Sequence, residues 1–168
     1  MEKAQILLVD DEKEFTDVLK ERLEIAGYVV TACYNGEQAL KKVQEKEYDV
    51  AIVDLIMPDT DGITTMHRIK IIRPLMECIV LSGQGTLRMA VEAMKQGAFE
   101  FLEKPCDLKI VTQTIDEAFE RKQAQDKRIL KAAKKVYLKL ETAMVGATFA
   151  QAGQFDTAKE VMSKKEKD

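Results

Sequence analysis

The sequence predicts an α/β protein with a doubly wound, five-stranded parallel sheet, helices on both faces and a helical extension at the C-terminus. Short apolar runs alternate with helical patterns five times over residues 1–121. The runs show little alternation of apolar and polar residues, which is typical of strands covered on both faces. Strands that are separated in sequence by helices pair in parallel, so the pattern predicts a single parallel sheet.

The first half of this region contains two strand–helix units. Ile6–Val9 is a short apolar run, and Glu12–Ala26 has apolar side chains at helical spacing before Gly27, a residue type that commonly follows the end of a helix. Val29–Cys33 is rich in β-branched residues and predicts the second strand. Asn35-Gly36 is turn chemistry that opens a second helix, which runs to about residue 46.

The second half supplies the remaining strands, at Val50–Val53, Cys78–Leu81 and Glu100–Leu102. The loop Pro58–Gly62 precedes a third helix that runs to about residue 72. Leu87–Gln96 predicts the fourth helix, which ends before Gly97. A long helical pattern begins near Asp107, after a proline that cannot continue a strand ladder.

Composition excludes several classes of protein. With 46% hydrophobic and 33% charged residues, the chain can form a packed core and is not globally disordered. A net charge of -3 argues against the whole chain coating a nucleic acid. No apolar run approaches the ~18 residues of a membrane span, and the first run is too short for a signal peptide. Cys33, Cys78 and Cys106 lack metal-ligand spacing, and their odd count in a helix-rich, acidic chain leads us to expect reduced thiols in a cytoplasmic protein.

Polar residues follow four of the predicted strands. Asp10 and Asp11 follow the first strand, Asp54 the third, Ser82 the fourth and Lys104 the fifth. Taken singly, each is more often a helix cap or a surface side chain. Ligands of open α/β sheets bind at the carboxyl ends of the strands, where all these residues are expected to meet. Four placements at one edge therefore indicate a functional site.

The charges of this cluster predict a cation. Three carboxylates about 5 Å apart repel one another by roughly 3 kcal/mol per pair at an effective dielectric near 20. A divalent ion and one lysine would compensate that repulsion, and an all-oxygen ligand set favours Mg²⁺ or Mn²⁺ over zinc. The single histidine, His67, falls in the third predicted helix, away from this edge, and is expected at the surface.

These residues resemble the receiver domains of bacterial two-component response regulators. The resemblance rests on Asp10-Asp11, Asp54, the Met57-Pro58-Asp59 loop with Gly62, the Ser82-Gly83 pair and Lys104-Pro105, and covers about Lys3 to Arg121. It implies a flavodoxin-like sheet of order 2-1-3-4-5. It also implies a histidine kinase or phosphotransfer protein that donates a phosphoryl group to Asp54.

The resemblance assigns a role to each residue of the set. Asp11 and Asp54 would bind Mg²⁺ directly, Asp10 would act largely through water, and the backbone carbonyl of Ile56 would complete the protein ligands. Asp54 would be the nucleophile, since an ionised carboxylate needs no general base.

Further roles concern the phosphoryl group and the response to it. Lys104, the Ser82 hydroxyl and the backbone amide of Gly83 would contact the phosphoryl oxygens. Phe101 matches the family's switch aromatic and, lacking a hydroxyl, would report through packing alone. Ser82 drawn inward would vacate space into which Phe101 rotates.

Residues 122–168 predict a helical extension to a receiver domain of residues 1–121. No proline or glycine occurs from Asp107 to Val145, which predicts one long helix or two nearly continuous ones. Eight basic residues lie between Arg121 and Lys139, against a single acidic residue, Asp126. They form either a solvated helical face or a patch for an acidic partner or nucleic acid. A heptad stripe from Leu108 is interrupted at positions 122 and 125, so a coiled coil is only weakly encoded.

The segment Val145–Ala158 resembles the centre of a tetratricopeptide repeat. Small residues at Gly146 and Ala158 would let two antiparallel helices approach, and Gly153 would make the turn. A single repeat cannot bury its own apolar face, so the hairpin needs the receiver, a second copy, a partner or more chain to pack against. The lysine-rich end, Lys164–Asp168, is expected to fray.

Three classes of function remain open. The first is a response regulator that acts through protein contacts: a homodimer through the fourth-helix face or C-terminal helix, or a downstream protein target. The second is a transcriptional regulator with a DNA-binding or truncated output region, although residues 122–168 fall short of a three-helix module. The third is a small hydrolase of external phosphoesters. We expect the first, which is not an enzyme beyond phosphorylation and dephosphorylation of Asp54.

Overall fold

The computed structural model describes residues 3–58, 61–83 and 86–164, without the side chains of residues 161, 163 and 164. The strands are β1 Gln5–Val9, β2 Val29–Cys33, β3 Val50–Val53, β4 Glu77–Ser82 and β5 Glu100–Glu103. The helices are α1 Lys13–Ile25, α2 Gly36–Glu45, α3 Gly62–Ile72, α4 Leu87–Lys95, α5 Leu108–Gln151 and α6 Phe155–Lys164. All five strands are parallel, and their order, β2-β1-β3-β4-β5, confirms the predicted fold.

The strand order places two loops side by side at one edge of the sheet. The chain turns from β1 to β2 on one side and then crosses back to β3 on the other, so β1 and β3 are neighbours. Val9 is in register with Val53, which sets the following residues, Asp10 and Asp54, next to each other. The carboxyl edge at this reversal is where open α/β sheets bind ligands.

Apolar layers cover both faces of the sheet, because alternate side chains of each buried strand point to opposite faces. One layer joins the sheet to α2 and α3, through side chains that include Leu7, Val53, Leu40 and Met66. The other joins it to α1 and the first part of α5, through Ile6, Ile52, Leu23 and Ile115. All four residues of β3 are buried, as expected of a central strand covered on both faces.

Capping side chains begin three of the helices. The Asn35 side chain accepts a hydrogen bond from the amide of Gln38 at the start of α2, and Asp61 accepts from two amides at the start of α3. Thr86 does the same for α4. Side-chain acceptors at these positions satisfy amides that the helix itself leaves unpaired. The predicted helix ends at Gly27 and Gly97 are confirmed by positive φ angles of 105° and 96°.

A buried carboxylate lies at the opposite, amino edge of the sheet. Glu77, the first residue of β4, has a fully buried side chain whose Oε1 is 3.0 Å from Nε of Arg121 on α5. Lys70 Nζ lies 3.7 Å from its other oxygen. Nearby, Lys122 Nζ is 3.0 Å from Asp49 Oδ1. These ion pairs fix the receiver portion of α5 to the ends of β4 and β3.

The structure extends three of the predicted strands, since β1 begins one residue earlier, at Gln5, and β5 ends one residue later, at Glu103. β4 begins one residue earlier and ends one residue later than predicted, because Glu77 and Ser82 also join the ladder. α5 is a single helix that continues through Gly146 to Gln151. His67 is exposed on α3, as predicted. Across the described parts of the chain, no helix combines the length and apolarity that a membrane span requires.

The chain divides into two compact units, Met1–Ala124 and Gln125–Asp168. In the second unit α5 and α6 are joined by a turn at Gly153, whose φ of 76° favours glycine. Gly146 and Ala158 are buried, and a Cβ added to Gly146 would lie 2.9 Å from Sδ of Met162. The small residues thus permit the close helix approach that was predicted. The likeness to a tetratricopeptide repeat stays a prediction. Of the end Lys164–Asp168, which was expected to fray, Lys164 is the last residue of α6 and residues 165–168 lie outside those described.

Candidate functional site

Asp10 and Asp54 are held by the strand ends that precede them. The backbone amide of Asp54 donates to the carbonyl of Val9, and that of Asp10 donates to the carbonyl of Cys33. Both side chains are nearly buried, with Asp10 2% and Asp54 8% exposed. Gly62 packs against the backbone after β3, where an added Cβ would collide with the carbonyl oxygen of Asp54. Only glycine permits that close approach.

The Lys104 ammonium lies between the two carboxylates. Its Nζ is 2.6 Å from Oδ2 of Asp10 and 3.0 Å from Oδ2 of Asp54. The lysine follows β5, whose residue Glu103 is in register with Ser82, and its amide donates to the carbonyl of Ser82. Nζ also lies 4.1 Å from the centroid of the Phe15 ring. A ring face at that distance attracts an ammonium group and helps to hold it in place.

The second oxygen of Asp54 accepts two hydrogen bonds. The Ser82 hydroxyl donates to Oδ1 at 2.6 Å, and the Ile56 amide donates to the same oxygen at 3.0 Å. Ser82 is fully buried. The hydroxyl therefore already points towards Asp54, whereas the sequence led us to expect this inward position only after phosphorylation. Together with Lys104, these donors fix the carboxylate in one orientation.

The electrostatics of the cluster shift two pKa values. Burial raises the pKa of Asp10, and it outweighs the opposing hydrogen bond and charge of Lys104. Burial alone would lower the pKa of Lys104, but hydrogen bonds to Asp10 and Asp54 and their negative charges raise it. The lysine is therefore a permanent cation in this site, since loss of its proton would leave buried carboxylates without compensation.

An open cavity lies beside Asp54. Its volume is about 320 Å³, and it is lined by Asp11, Glu12, Asp54, Ile56, Ser82, Gly83 and Lys104. Asp11 and Gly83 are exposed. The cavity thus presents a carboxylate, a hydroxyl and an ammonium group to the same small volume. That combination suits a group with anionic oxygens and is too small and too polar for a large apolar ligand.

The oxygen-rich lining fits a hard divalent cation, although the present rotamers do not form a closed ligand set. Among the described residues, no three His, Cys, Asp or Glu side chains are grouped closely enough to hold a metal ion. The reason is local: the Lys104 ammonium already lies between Asp10 and Asp54, and Asp11 points to solvent. Carboxylate and carbonyl oxygens remain the donors that Mg²⁺ prefers. The ligand set Asp10, Asp11, Asp54 and the Ile56 carbonyl stays a prediction.

Phe101 lies on β5 and is partly buried against the apolar layer beneath α2, α3 and α4. Its side chain is therefore adjacent to the core. The switch role assigned to Phe101 and Ser82 stays a prediction. Asp59, quoted with the Met57-Pro58 loop, lies outside the described residues.

The structure adds neighbours of the site that the sequence did not single out. Phe15 had the pattern of an ordinary core position of α1, and only the fold brings its ring to Lys104. Thr16 is buried and donates to the carbonyls of Asp10 and Glu12, and the Glu12 amide donates to Oδ1 of Asp10. One signal was available, since these residues directly follow the Asp10-Asp11 pair in the same loop and first helical turn.

A partly buried lysine between two aspartates, at the carboxyl edge of a sheet of order 2-1-3-4-5, is the arrangement of a receiver-type fold. The chain belongs to the response regulator receiver domain family, which matches residues 6–116. It is thus the receiver of a two-component response regulator. The active set predicted from Asp10, Asp54, Ser82 and Lys104 is brought together in space.

Similar proteins include transcriptional regulators and isolated receivers. The DNA-binding transcriptional regulator NtrC of Azospirillum brasilense is 39% identical over 118 residues, covering 70% of this chain and 24% of that protein. Transcriptional regulatory protein ZraR of Salmonella typhimurium is 35% identical over 116 residues, covering 69% and 26%. A receiver domain crystal structure from Clostridium thermocellum is 37% identical with a TM-score of 0.70, covering 73% and 98%. The chain spans about a quarter of the length of these curated relatives.

Proposed function

We propose that the chain accepts a phosphoryl group on Asp54 from a histidine kinase or a phosphotransfer protein. The observation that carries this proposal is the Asp54 carboxylate itself, held by Lys104 and Ser82 at the wall of an open cavity. A carboxylate oxygen forms a bond to phosphorus as the bond between phosphorus and the donor's imidazole nitrogen breaks. The imidazole keeps the electron pair of that bond, and the product is an acyl phosphate.

Charge neutralisation is the main contribution of the chain to this step. The transition state of phosphoryl transfer spreads negative charge over the equatorial oxygens, so fixed cations and hydrogen-bond donors stabilise it. Lys104, the Ser82 hydroxyl and the Gly83 amide supply these groups at the cavity wall. Bound Mg²⁺, or Mn²⁺, would supply further positive charge, held by Asp10, Asp11, Asp54 and the Ile56 carbonyl.

The switch follows from a change in the hydrogen-bond partner of Ser82. In the unmodified chain its hydroxyl donates to Oδ1 of Asp54. After transfer it donates to a phosphoryl oxygen, which lies farther from the Asp54 backbone, and β4 and its following loop adjust to that position. Phe101 on the neighbouring strand then repacks, and the surface of α4 and β5 changes shape.

The output is a protein contact made by that surface or by the C-terminal helices. The partner is a second copy of the chain or a downstream protein. An alternative is a phosphorylation-controlled transcriptional regulator, favoured by the similarity to NtrC and ZraR. In that alternative residues 122–168 are a truncated or partial DNA-binding output region.

The proposed chemistry has no external substrate that turns over. Phosphorylation and dephosphorylation of Asp54 are its only reactions, so the chain is not a hydrolase of free phosphoesters. A cytoplasmic location accompanies this proposal. All three cysteines are free thiols, which suits a reducing compartment.

The test is phosphorylation by acetyl phosphate with and without Mg²⁺, followed by intact-mass measurement. We expect one added phosphoryl group on the wild type in Mg²⁺, and none on Asp54→Ala or in excess chelator. Asp11→Ala should show the same loss, since Asp11 lines the cavity and is one of the proposed Mg²⁺ ligands. A wild type that stays unmodified, or an Asp54→Ala variant that is modified equally, would refute the proposal. Turnover of a chromogenic phosphoester would support a hydrolase instead.

A further inference from the structure

An exposed amphipathic segment lies in the second unit of the chain. Every residue from 127 to 141 of α5 is exposed. The segment and the turn after it include six large apolar side chains that are between 51% and 70% exposed: Ile129, Leu130, Val136, Tyr137, Leu140 and Met144. Single exposed apolar residues are ordinary, but a contiguous set on one helix marks an interaction surface.

Apolar and basic side chains lie on opposite sides of this segment. At 3.6 residues per turn, the apolar side chains fall on one stripe of the helix, which we call the α5 stripe. Its central positions are Leu130, Ala133, Tyr137, Leu140, Met144 and Ala147. The basic residues, Lys127, Arg128, Lys131, Lys134, Lys135 and Lys139, fall on the other side. The segregation indicates that the stripe is covered by an apolar surface and the basic side faces solvent.

The described side chains of α6 do not cover the α5 stripe. It packs on α5 at Gly146, where an added Cβ would lie 2.9 Å from Sδ of Met162. By helical spacing, Gly146 lies on the basic side of α5, away from Tyr137 and Met144. Met144 remains 70% exposed although it lies within two residues of this contact.

We propose that the α5 stripe pairs in antiparallel orientation with the α5 stripe of a second copy of this chain. The stripe has the alternating three- and four-residue spacing of helices that pack side by side. An isologous dimer needs one surface that is complementary to itself. The stripe meets that condition when Tyr137 of one copy lies opposite Leu140 of the other.

Side-chain volumes favour the antiparallel orientation. In this register the layers along the interface pair Leu130 with Ala147, Ala133 with Met144, and Tyr137 with Leu140. Each outer layer joins a large side chain to a small one, which packs evenly. A parallel pair would instead stack three layers of two large side chains in succession, from two tyrosines to two leucines to two methionines, between layers of two alanines. Such uneven layers leave voids beside the alanines.

Charges beside the stripe favour the same register. Lys134 and Glu141 flank the stripe on one side, and the antiparallel register sets Lys134 of each copy opposite Glu141 of the other. The dimer therefore contains this ion pair twice. In a parallel pair both side chains would lie beside apolar residues of the other copy, Ile129 and Val136. Glu141 is the one acidic residue between positions 127 and 144, and it also makes a contact within its own copy, so its carboxylate would serve both contacts.

The area of the stripe is adequate for a dimer. Six large side chains with the stated exposures could bury on the order of 600 Å² per copy, close to the ~800 Å² per partner of a standard interface. An anionic lipid surface is the competing occupant, because it also takes amphipathic basic helices. Even layers and paired charges are properties that a lipid surface does not select, so we favour the second copy. The pairing does not depend on Asp54 chemistry.

The first experiment is sedimentation velocity of the full chain without phosphodonor, over a range of concentrations. We expect a monomer–dimer equilibrium for the wild type and at least about tenfold weaker association for Tyr137→Glu and Leu140→Glu. The matched control is Leu138→Glu, an exposed leucine of the same helix on the basic side, which should dimerise as the wild type does. Far-UV circular dichroism checks that all variants keep their helix content.

The second experiment tests orientation by mixing two charge variants. Lys134→Glu and Glu141→Lys should each dimerise about three- to tenfold more weakly than the wild type, because like charges then face each other. Their mixture should form heterodimers in excess of random mixing, measured by native mass spectrometry, because both ion pairs are restored. The excess should shrink in high salt.

Several outcomes would overturn the proposal. A wild type that stays monomeric at tens of micromolar excludes the dimer, and stripe-dependent binding to anionic vesicles by that monomer would identify lipid as the occupant. Undiminished association of both stripe variants would place the interface elsewhere. Dimers that mix at random would exclude the antiparallel register. None of these outcomes affects the Asp54 proposal, which acetyl phosphate tests separately.

Discussion

At the scale of single residues, the Lys104 ammonium is the group on which the site depends. It compensates Asp10 and Asp54 together and lies against the Phe15 ring. A bound divalent cation would compete with the ammonium for the carboxylates. A phosphoryl group would compete with the carboxylates for the ammonium. Substitutions around Lys104 should therefore change the pH dependence and the rate of phosphorylation more than they change the fold.

We expect Asp10→Asn to change how stability depends on pH. The folded-state pKa of Asp10 is raised above 3.8, chiefly by burial. Below pH 3.8, the ordinary pKa of an aspartate, Asp10 is protonated in both the folded and the unfolded chain, and its contribution to stability is fully present. That contribution is lost as the pH rises through the folded-state pKa, because the unfolded chain ionises more readily. The variant lacks this loss. Its melting temperature in chelator, relative to the wild type, should rise as the pH increases from 4 to 7.

An unchanged difference between the two proteins over that pH range would contradict the raised pKa. Glu14→Gln is a suitable control, because Glu14 is exposed in the first turn of α1. It should show no such trend.

Phe15→Leu should slow phosphorylation of Asp54 by acetyl phosphate. Leucine keeps apolar packing but has no ring face, and the contact of Lys104 with an aromatic ring is worth about 0.5–2 kcal/mol. We expect a two- to tenfold lower rate, on the order of what that energy allows. Phe15→Tyr keeps the ring and should react as the wild type does. Equal rates for Leu and Tyr variants would show that the ring does not position the ammonium.

Ser82→Ala should still be phosphorylated, and it should respond poorly. A charge-assisted hydrogen bond is worth roughly 1.5–3 kcal/mol, and part of it is already present between Ser82 and Asp54. We expect about a tenfold smaller shift towards the phosphorylated conformation, read from backbone amide NMR shifts of β4 and β5. Phosphorylation is verified by intact mass on the same sample. A full response from this variant would exclude the proposed switch.

At the scale of elements, the contact of Arg121 with Glu77 fixes α5 to β4. Arg121→Met should destabilise the protein by roughly 2 kcal/mol, less than the full cost of an uncompensated buried charge, since Lys70 also lies near Glu77. Urea unfolding provides the measurement. The matched control, Arg128→Met, changes an exposed arginine of the same helix and should have little effect.

The sequence predicted the elements well where the pattern is local. The bounds of β2 and β3 agree with the prediction, and α3 ends at the predicted Ile72. Glu77 was missed because a buried carboxylate in a strand depends on Arg121, which is distant in sequence. The sequence placed Gly146 at a helix contact and the turn at Gly153, where α5 does end, but it left open whether one helix or two lead up to that turn. The periodicity of a sequence does not predict contacts between segments that are far apart in it.

At the scale of the whole molecule, the division into two compact units predicts that the receiver folds without the rest. A chain ending at Ala124 keeps Arg121 and Lys122 with their partners Glu77 and Asp49. We expect it to melt as one cooperative transition, to accept a phosphoryl group at the rate of the full chain, and to be monomeric. Calorimetry and intact-mass kinetics check this. A truncated chain that is unfolded would show that the two units depend on each other.

For the site, the sequence predicted which residues come together but not how their side chains are oriented. Asp10, Asp54, Ser82 and Lys104 converge because strand ends of a parallel sheet meet at one edge, a consequence of topology alone. The sequence could not predict which rotamers they adopt. The inward hydroxyl of Ser82 and the ring of Phe15 over Lys104 depend on packing of atoms that no spacing rule describes.

The hydrogen bond from Ser82 to Asp54 bears on how much information the receiver can convey. A hydroxyl that is turned inward before any phosphoryl group arrives gives the unmodified chain a standing level of output above zero. The ratio between the fully stimulated and the resting signal then has an upper limit, and the phosphoryl group contributes only the difference between two bonded arrangements of Ser82. We expect such a receiver to give a graded response above a nonzero resting output, and not an all-or-none response.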